Sequence, residues 1–263
     1  DYLKKNKKWW NEVVPIHAKS ELYNLADFKK GKSSLQQIEI KELGNVKGKS
    51  ILHFLCHFGM DSLSLARLGA KVTGIDLSNK AIDFAKQLSS ETKIPAEFIC
   101  SDVYKLPKIL NKKYDIIFAS YGTLCWLSDM KKFVKTINSF LKKDGIFYIV
   151  DLHPFTNILD SSLKFSYDYF DKTASEDDSS GTYANWDADI NGSTYLWGYT
   201  IGGIINNLVA KGLKIEYLHE FPFAMYNQFP GLMKKNKIGQ YVLKNTQIQI
   251  PLLFSLKAVK PRV

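Results

Sequence analysis

Between Ile51 and Asp76 the chain reads ILHFLCHFGMDSLSLARLGAKVTGID, and its hydrophobic spacing changes twice along the way. The opening run is apolar or aromatic at nearly every position and suits a strand buried on both faces. MDSLSLARL follows at helical spacing, and KVTGI is a second short buried strand. Strand, turn, helix and strand in that order make a βαβ unit, whose two strands lie parallel and are joined by a right-handed crossover. This unit limits the fold to an α/β class with helices over a parallel sheet. Its turn is unusual, because phosphate-binding turns of this kind commonly carry two or three glycines and here only Gly59 is present. Asp76 closes the second strand 17 residues after that glycine.

The same alternation continues down the chain. Residues 79–90 are a helix with Ser78 as N-cap, AEFICSD is a third strand ending near Cys100, and YDIIFAS is a fourth. MKKFVKTINSFLKK is a helix closed by Asp144–Gly145, and IFYIVDLHPF is a fifth strand. Helical spacing returns at IGGIINNLVAKG, then LKIEYLHEF and PLLFSLKAVK read as the last strands. The ends are less regular. Residues 9–43 read as short helices broken at Pro15 and Gly31. Residues 156–198 read as an inserted antiparallel piece in which Leu163, Phe165, Tyr167 and Tyr169 alternate, with a mobile polar loop at 174–181.

Charge bears on the partner. A net charge of +10 invites a nucleic-acid reading, but arginine occurs only at Arg67 and Arg262, and the remaining positive charge is lysine. Bidentate recognition of bases and phosphates prefers arginine, so these lysines read as solvated surface and no nucleic-acid partner is expected. Cys56, Cys100 and Cys125 show no paired spacing, which fits free thiols in a reducing cytoplasm. No apolar run reaches the length of a membrane span, and DYLKKNKKWW lacks the apolar core of a signal peptide, so a soluble cytoplasmic protein is expected.

An open α/β sheet has its crevice at the carboxyl ends of its parallel strands. Those ends carry Cys56–Gly59, Asp76, Asp102 and Ser120–Gly122. A carboxylate at Asp76 can accept both hydroxyls of a ribose, or can cap the helix that follows. Asp102 can accept from an adenine amino group while Val103 packs on the ring. His53, Cys56 and His57 span a strand and its turn with no fourth ligand near in sequence, so no metal is expected. His153 can serve as a base or as a hydrogen-bonded structural group.

Taken in order, ILHFLCHFG, VTGIDLS, ICSDVYKLP, YDIIFAS, LKKDGIFYIVDLHP and LVAKGLKIEYLHEF resemble the motifs of the class I S-adenosylmethionine-dependent methyltransferases. The resemblance implies a Rossmann-like seven-stranded sheet with an antiparallel last strand, helices on both faces, and here an inserted antiparallel β cap. It implies S-adenosylmethionine as cofactor, S-adenosylhomocysteine as product, and binding through Leu55, Cys56, Gly59, Asp76, Leu77, Ser101, Asp102, Val103 and Ser120. The family's first motif usually reads acid-x-Gly-x-Gly-x-Gly, whereas His53, Leu55 and His57 stand here for the acid and the first two glycines. A bacterial branch with the same variant resembles this wording, so the departure reads as a subfamily trait, with strand alternation sending the two side chains apart. The expected organisation is a helical lid at 1–48, a core at 49–155 and 199–263, and a cap at 156–198. The expected function is in-line methyl transfer to a small molecule in an aromatic pocket. Trp9, Trp10, Tyr23, Phe28, Tyr121, Trp126, Tyr183, Trp186, Tyr195, Trp197 and Tyr199 are the candidate aromatics. The sequence assigns no catalytic residue, and His153 and Tyr121 are candidates for that role. Two alternatives are a non-catalytic module on the same fold and a nicotinamide-dependent oxidoreductase, although the latter lacks its Gly-x-Gly-x-x-Gly turn. The sequence leaves oligomeric state open.

Overall fold

The computed structural model describes residues 1–245 and 247–262. Three helices come first: α1 (Tyr2–Lys19), α2 (Leu25–Lys29) and α3 (Gln37–Leu43). The alternating part follows as β1 (Ser50–Phe54), α4 (Met60–Arg67), β2 (Lys71–Asp76), α5 (Asn79–Thr92), β3 (Glu97–Cys100), β4 (Tyr114–Ser120), α6 (Met130–Phe140) and β5 (Leu141–Leu152). A hairpin of β6 (Ala174–Ser180) and β7 (Asn191–Trp197) leads to α7 (Ile201–Val209) and β8 (Lys214–Phe221). Two short strands, β9 (Met233–Lys235) and β10 (Tyr241–Leu243), precede β11 (Leu253–Val259).

The main sheet has the order β3-β2-β1-β4-β5-β11-β8. Its first five strands are parallel, and β11 runs antiparallel between β5 and β8, as the resemblance implied. Because β1 is central, its alternate side chains serve both faces: Leu52 and Phe54 join the core under α6 and α7, and Ile51 joins the core with Val72 and Tyr148. All of these are 0% exposed except Val72 at 4%, which explains why the sequence of β1 has no polar face. The strand order reverses at β1 and β4, so the crevice opens between their carboxyl ends.

Four local expectations are corrected. Helix α1 runs unbroken through Pro15, because the helix ends only one turn later and Trp9, Val13 and Val14 are buried along one side, which outweighs a missing backbone bond. Helix α6 stops at Phe140 and Leu141 begins β5, since Leu141 pairs with Tyr114 of β4, Lys142 meets Asp115, and Asp144 N–H donates to the Lys260 carbonyl. Residues 163–170 form bends, with one bridge from Leu159 to Phe165, and leave Phe165, Tyr167 and Phe170 exposed. Residues 174–180, expected as a loop, are strand β6, paired with β7 from Ala174↔Trp197 to Ser180↔Asn191. The partner supplies the order that the acidic sequence lacks. Asn6 of α1 brackets Tyr195 by donating to its carbonyl and accepting from its N–H, and Lys5 pairs with Glu176. Thus α1 and the hairpin form one layer over the carboxyl edge.

Candidate functional site

At the end of β1 the backbone turns through Leu55, Cys56, His57 and Phe58 to Gly59. Leu55 and His57 have φ of 52° and 51°, and Gly59 has φ of 81°. The two positions where the resembling motif has glycine therefore keep glycine's left-handed backbone and carry side chains on it. This corrects the expectation of strand alternation, because β1 has ended at Phe54. Left-handed backbone costs about 1–2 kcal/mol at each non-glycine residue, and the fold offsets this with hydrogen bonds: Cys56 N–H to Ile75 at 2.9 Å and His57 N–H to Asp76 at 2.8 Å. Gly59 is irreplaceable for a separate reason, since a Cβ there would lie 2.7 Å from the Phe98 ring.

Asp76 closes β2 beside this turn. One carboxylate oxygen accepts from His57 N–H and the other from Ser78 N–H, both at 2.8 Å. Burial lifts its pKa to about 6 in spite of those backbone donors. Ser78 caps α5 with its own hydroxyl, so Asp76 is not needed as the helix cap. Ser101 N–H donates to the Asp76 carbonyl at 2.9 Å, which draws Ser101 and Asp102 alongside. Asp102 accepts from Tyr104 N–H at 2.9 Å, and Val103 is buried beside Leu106 and Leu127. Leu77 is partly buried, and its carbonyl accepts from the Cys100 thiol at 3.4 Å.

Ser120 ends β4 and joins a buried polar network. Its hydroxyl donates to Asp61 at 3.1 Å and lies 3.5 Å from His53 Nε2, while His53 Nδ1 meets Ser62 at 2.8 Å. Ser34 donates to the other Asp61 oxygen at 2.6 Å. Glu39 is 0% exposed, and burial and the nearby Asp61 charge raise it to about 8. Burial raises Asp61 as well, against the Ser34 and Ser120 hydrogen bonds. Glu39 Oε2 and the Tyr121 hydroxyl have no partner among the described residues. Glu39, a buried acid with one orphaned oxygen and no ion pair, stands beside Asp61, whose two oxygens are held by Ser34 and Ser120, and the pair of acids suits a cationic group of a ligand.

Aromatic rings close the other side. His57 stacks on His17 and Tyr23 at centroid distances of 5.1 and 5.5 Å, and Trp10 stands edge-on to His57 at 5.2 Å and to Trp126 at 5.1 Å. Tyr23 and Tyr183 share a hydrogen bond between hydroxyls, which ties α1's end to the hairpin turn. Tyr183 and Tyr226 reach a groove of about 850 Å³ that also takes in Asn227 and Lys235.

Of the predicted residues, Leu55, Cys56, Gly59, Asp76, Leu77, Ser101, Asp102 and Ser120 meet along one edge, and Val103 faces the core. His153 sits on the far side of β5, where Nδ1 accepts from Phe155 N–H at 3.0 Å and Nε2 lies 2.8 Å from Glu220. Tyr121 lies beside the Glu39 pocket. Trp10 and Tyr23 pack on His57 and Trp126 packs on Trp10, while Tyr183 and the half-exposed Trp186 line the groove and Trp9 packs on Gly192. His17, Tyr226, Asp61 and Glu39 were not singled out in the sequence. Asp61 carried a signal, as an acid two residues beyond the turn glycine. Among the described residues no cluster of three histidine, cysteine, aspartate or glutamate side chains could hold a metal, and no helix is long and apolar enough to cross a membrane.

Residues 52–149 match the family model described as a methyltransferase domain. A ubiquinone biosynthesis O-methyltransferase from Coxiella burnetii is 30% identical over 140 residues, 52% of this chain and 53% of that one. The chain spans about half the length of the curated relatives it matches. An S-adenosylmethionine-dependent methyltransferase from Clostridium acetobutylicum superposes with a TM-score of 0.59 at 16% identity, over 97% of this chain and 98% of the other. Magnesium protoporphyrin IX methyltransferase from Synechocystis, solved with bound S-adenosylmethionine, gives 0.56 at 14% identity, over 99% and 97%. At these identities the solved structures establish the shared fold.

Proposed function

We propose that this chain, whose residues 52–149 match a methyltransferase domain and whose fold is shared with solved S-adenosylmethionine-dependent methyltransferases, transfers a methyl group from S-adenosylmethionine to a small molecule. The observation that carries this reading is the left-handed turn of Leu55, His57 and Gly59 folded against Asp76. It keeps the backbone of a glycine motif whose letters have changed, and so answers the objection that the motif is degraded.

The residues fit the cofactor end by end. Asp76 would hold the ribose hydroxyls and Asp102 the adenine amino group. His53 replaces the acid of the usual motif, and Asp61, reached from His53 through Ser120, would supply a carboxylate for the ammonium together with Glu39 and Tyr121. The aromatic faces of Trp10, Tyr23 and Trp126 suit a sulfonium. When bound, S-adenosylmethionine supplies an electrophilic methyl group on a positively charged sulfur. The chain's own part is to align the acceptor, exclude water under α1 and the hairpin, and tolerate that charge.

The acceptor would enter by the Tyr183–Tyr226 groove, which is sized for a small molecule. The O-methyltransferase named among the relatives is consistent with such an acceptor, at half-length coverage. Calorimetry and thermal unfolding with S-adenosylhomocysteine and NAD test the reading. Saturation with S-adenosylhomocysteine at a hundredfold excess over Kd should stabilise the fold by about 2.7 kcal/mol, and NAD should leave it unchanged. Absence of S-adenosylhomocysteine binding would favour a non-catalytic module on the same fold.

A further inference from the structure

His17 on α1 and His57 in the turn are joined ring to ring, with Nδ1 of His17 3.1 Å from Nε2 of His57. Burial pushes His17 down to about 4, and burial together with the neighbouring His17 holds His57 well below the ordinary histidine value, so both imidazoles are neutral. The outer nitrogens, His17 Nε2 and His57 Nδ1, are buried and have no partner among the described residues. Two neutral imidazoles sharing one N–H···N bond have two tautomeric arrangements. In each, one outer nitrogen carries a hydrogen and the other a lone pair. The pair thus offers one donor and one acceptor to whatever lies beside it.

Its location gives this offer a use. His57 belongs to the turn beside Asp76, and the His17 ring is 4.7 Å from that of Tyr183, which lines the groove. The pair lies at the boundary between the proposed cofactor site and the proposed acceptor site. A structural reading leaves two buried nitrogens unsatisfied, at a cost of about 1–3 kcal/mol each, with nothing gained.

We propose that the His17–His57 pair binds the hydroxyl of the methyl acceptor and takes its proton, which makes the acceptor an alcohol or phenol. This rests on the methyltransferase reading above. The hydroxyl oxygen forms its bond to the methyl carbon as the carbon–sulfur bond breaks and leaves its electron pair on sulfur. The hydroxyl proton passes to the lone pair of the pair's outer nitrogen. The resulting imidazolium, stacked on the Tyr23 ring, is short-lived because burial disfavours the charge on both histidines, and it loses its proton to water once the ether leaves.

Catechol and its dimethyl ether, 1,2-dimethoxybenzene, serve as probes, because they share a ring and differ in the O–H group. Calorimetry in saturating S-adenosylhomocysteine should show catechol binding about tenfold tighter than the ether, the value of one buried hydrogen bond. His17→Phe and His57→Phe, which keep a ring in the stack, should each remove that preference, and His17→Phe, which lies outside the turn, should leave affinity for S-adenosylhomocysteine within about twofold. Nitrogen-15 spectra of the unmutated protein provide a check independent of how the variants fold. Catechol should shift the ring resonances of His17 and His57 and leave His53, His153 and His219 in place. Equal affinity for the two probes, no catechol binding, a preference that survives in both folded variants, or shifts confined to other histidines would overturn the proposal. Failure of S-adenosylhomocysteine to bind the unmutated protein would instead overturn the methyltransferase reading.

Discussion

Replacing Asp76 by asparagine separates a ligand-binding carboxylate from a structural one. The side chain is partly buried, and its pKa rises from 3.8 to about 6 on folding. A raised carboxyl pKa means that the group favours the fold when protonated: that stability is complete below about pH 4 and is lost as pH climbs through about 6. Ionisation at pH 7.5 therefore costs the fold at most about 3 kcal/mol, an upper figure because solvent reaches part of the side chain. Asparagine removes that cost. It keeps one oxygen for one of the two N–H groups and loses the other bond, worth about 1.5–3 kcal/mol to a charged acceptor. The two effects nearly cancel, so the melting temperature of Asp76→Asn should stay within about 5 °C of the parent, at roughly 2–4 °C per kcal/mol. S-adenosylhomocysteine, by contrast, should lose hydrogen bonds to a charge, about 1.5–3 kcal/mol or roughly 10- to 150-fold in affinity. The parent's Kd should also rise about tenfold between pH 7.5 and pH 5, as protons compete at a pKa near 6, and the variant should lack this rise. Calorimetry at three pH values with a parallel melting curve measures both. A variant that melts far lower yet binds the ligand normally would refute the reasoning and make Asp76 a support for the turn.

Gly59→Ala should destabilise by about 2–5 kcal/mol, since it combines left-handed backbone with a Cβ 2.7 Å from Phe98, and denaturant unfolding would show it. Asp102→Asn should weaken S-adenosylhomocysteine binding less than Asp76→Asn, because its amide oxygen still accepts from an adenine amine; a larger loss by calorimetry would reverse their order. Hydrogen exchange with and without S-adenosylhomocysteine should show protection rising together in residues 1–43 and 174–181, with residues 145–150 protected throughout. Equal protection in both states would mean a preformed pocket.

The sheet was legible because its strands are buried on both faces and its helices on one, and that contrast of period survives in the letters from Ile51 to Val150. The antiparallel β11 was legible only through resemblance, since the apolar run PLLFSL carries no sign of direction. What failed depended on distant partners. The strand β6 reads ASEDDSS and pairs only because β7 is beside it, and α1 passes Pro15 because its buried side has somewhere to pack. At the site, Asp76 and Gly59 could be found by spacing. The left-handed turn was hidden because non-glycine residues hold it, and the His17–His57 contact was hidden because 40 residues separate its members.

Whether this carboxyl edge holds S-adenosylmethionine is decided by a crystal structure of the protein with S-adenosylhomocysteine. Electron density should run along the Leu55–Gly59 turn, with ribose at Asp76, adenine at Asp102 and the ammonium at Asp61. Density in another cleft, or crystals that take up no ligand at concentrations well above those that saturate related enzymes, would contradict it.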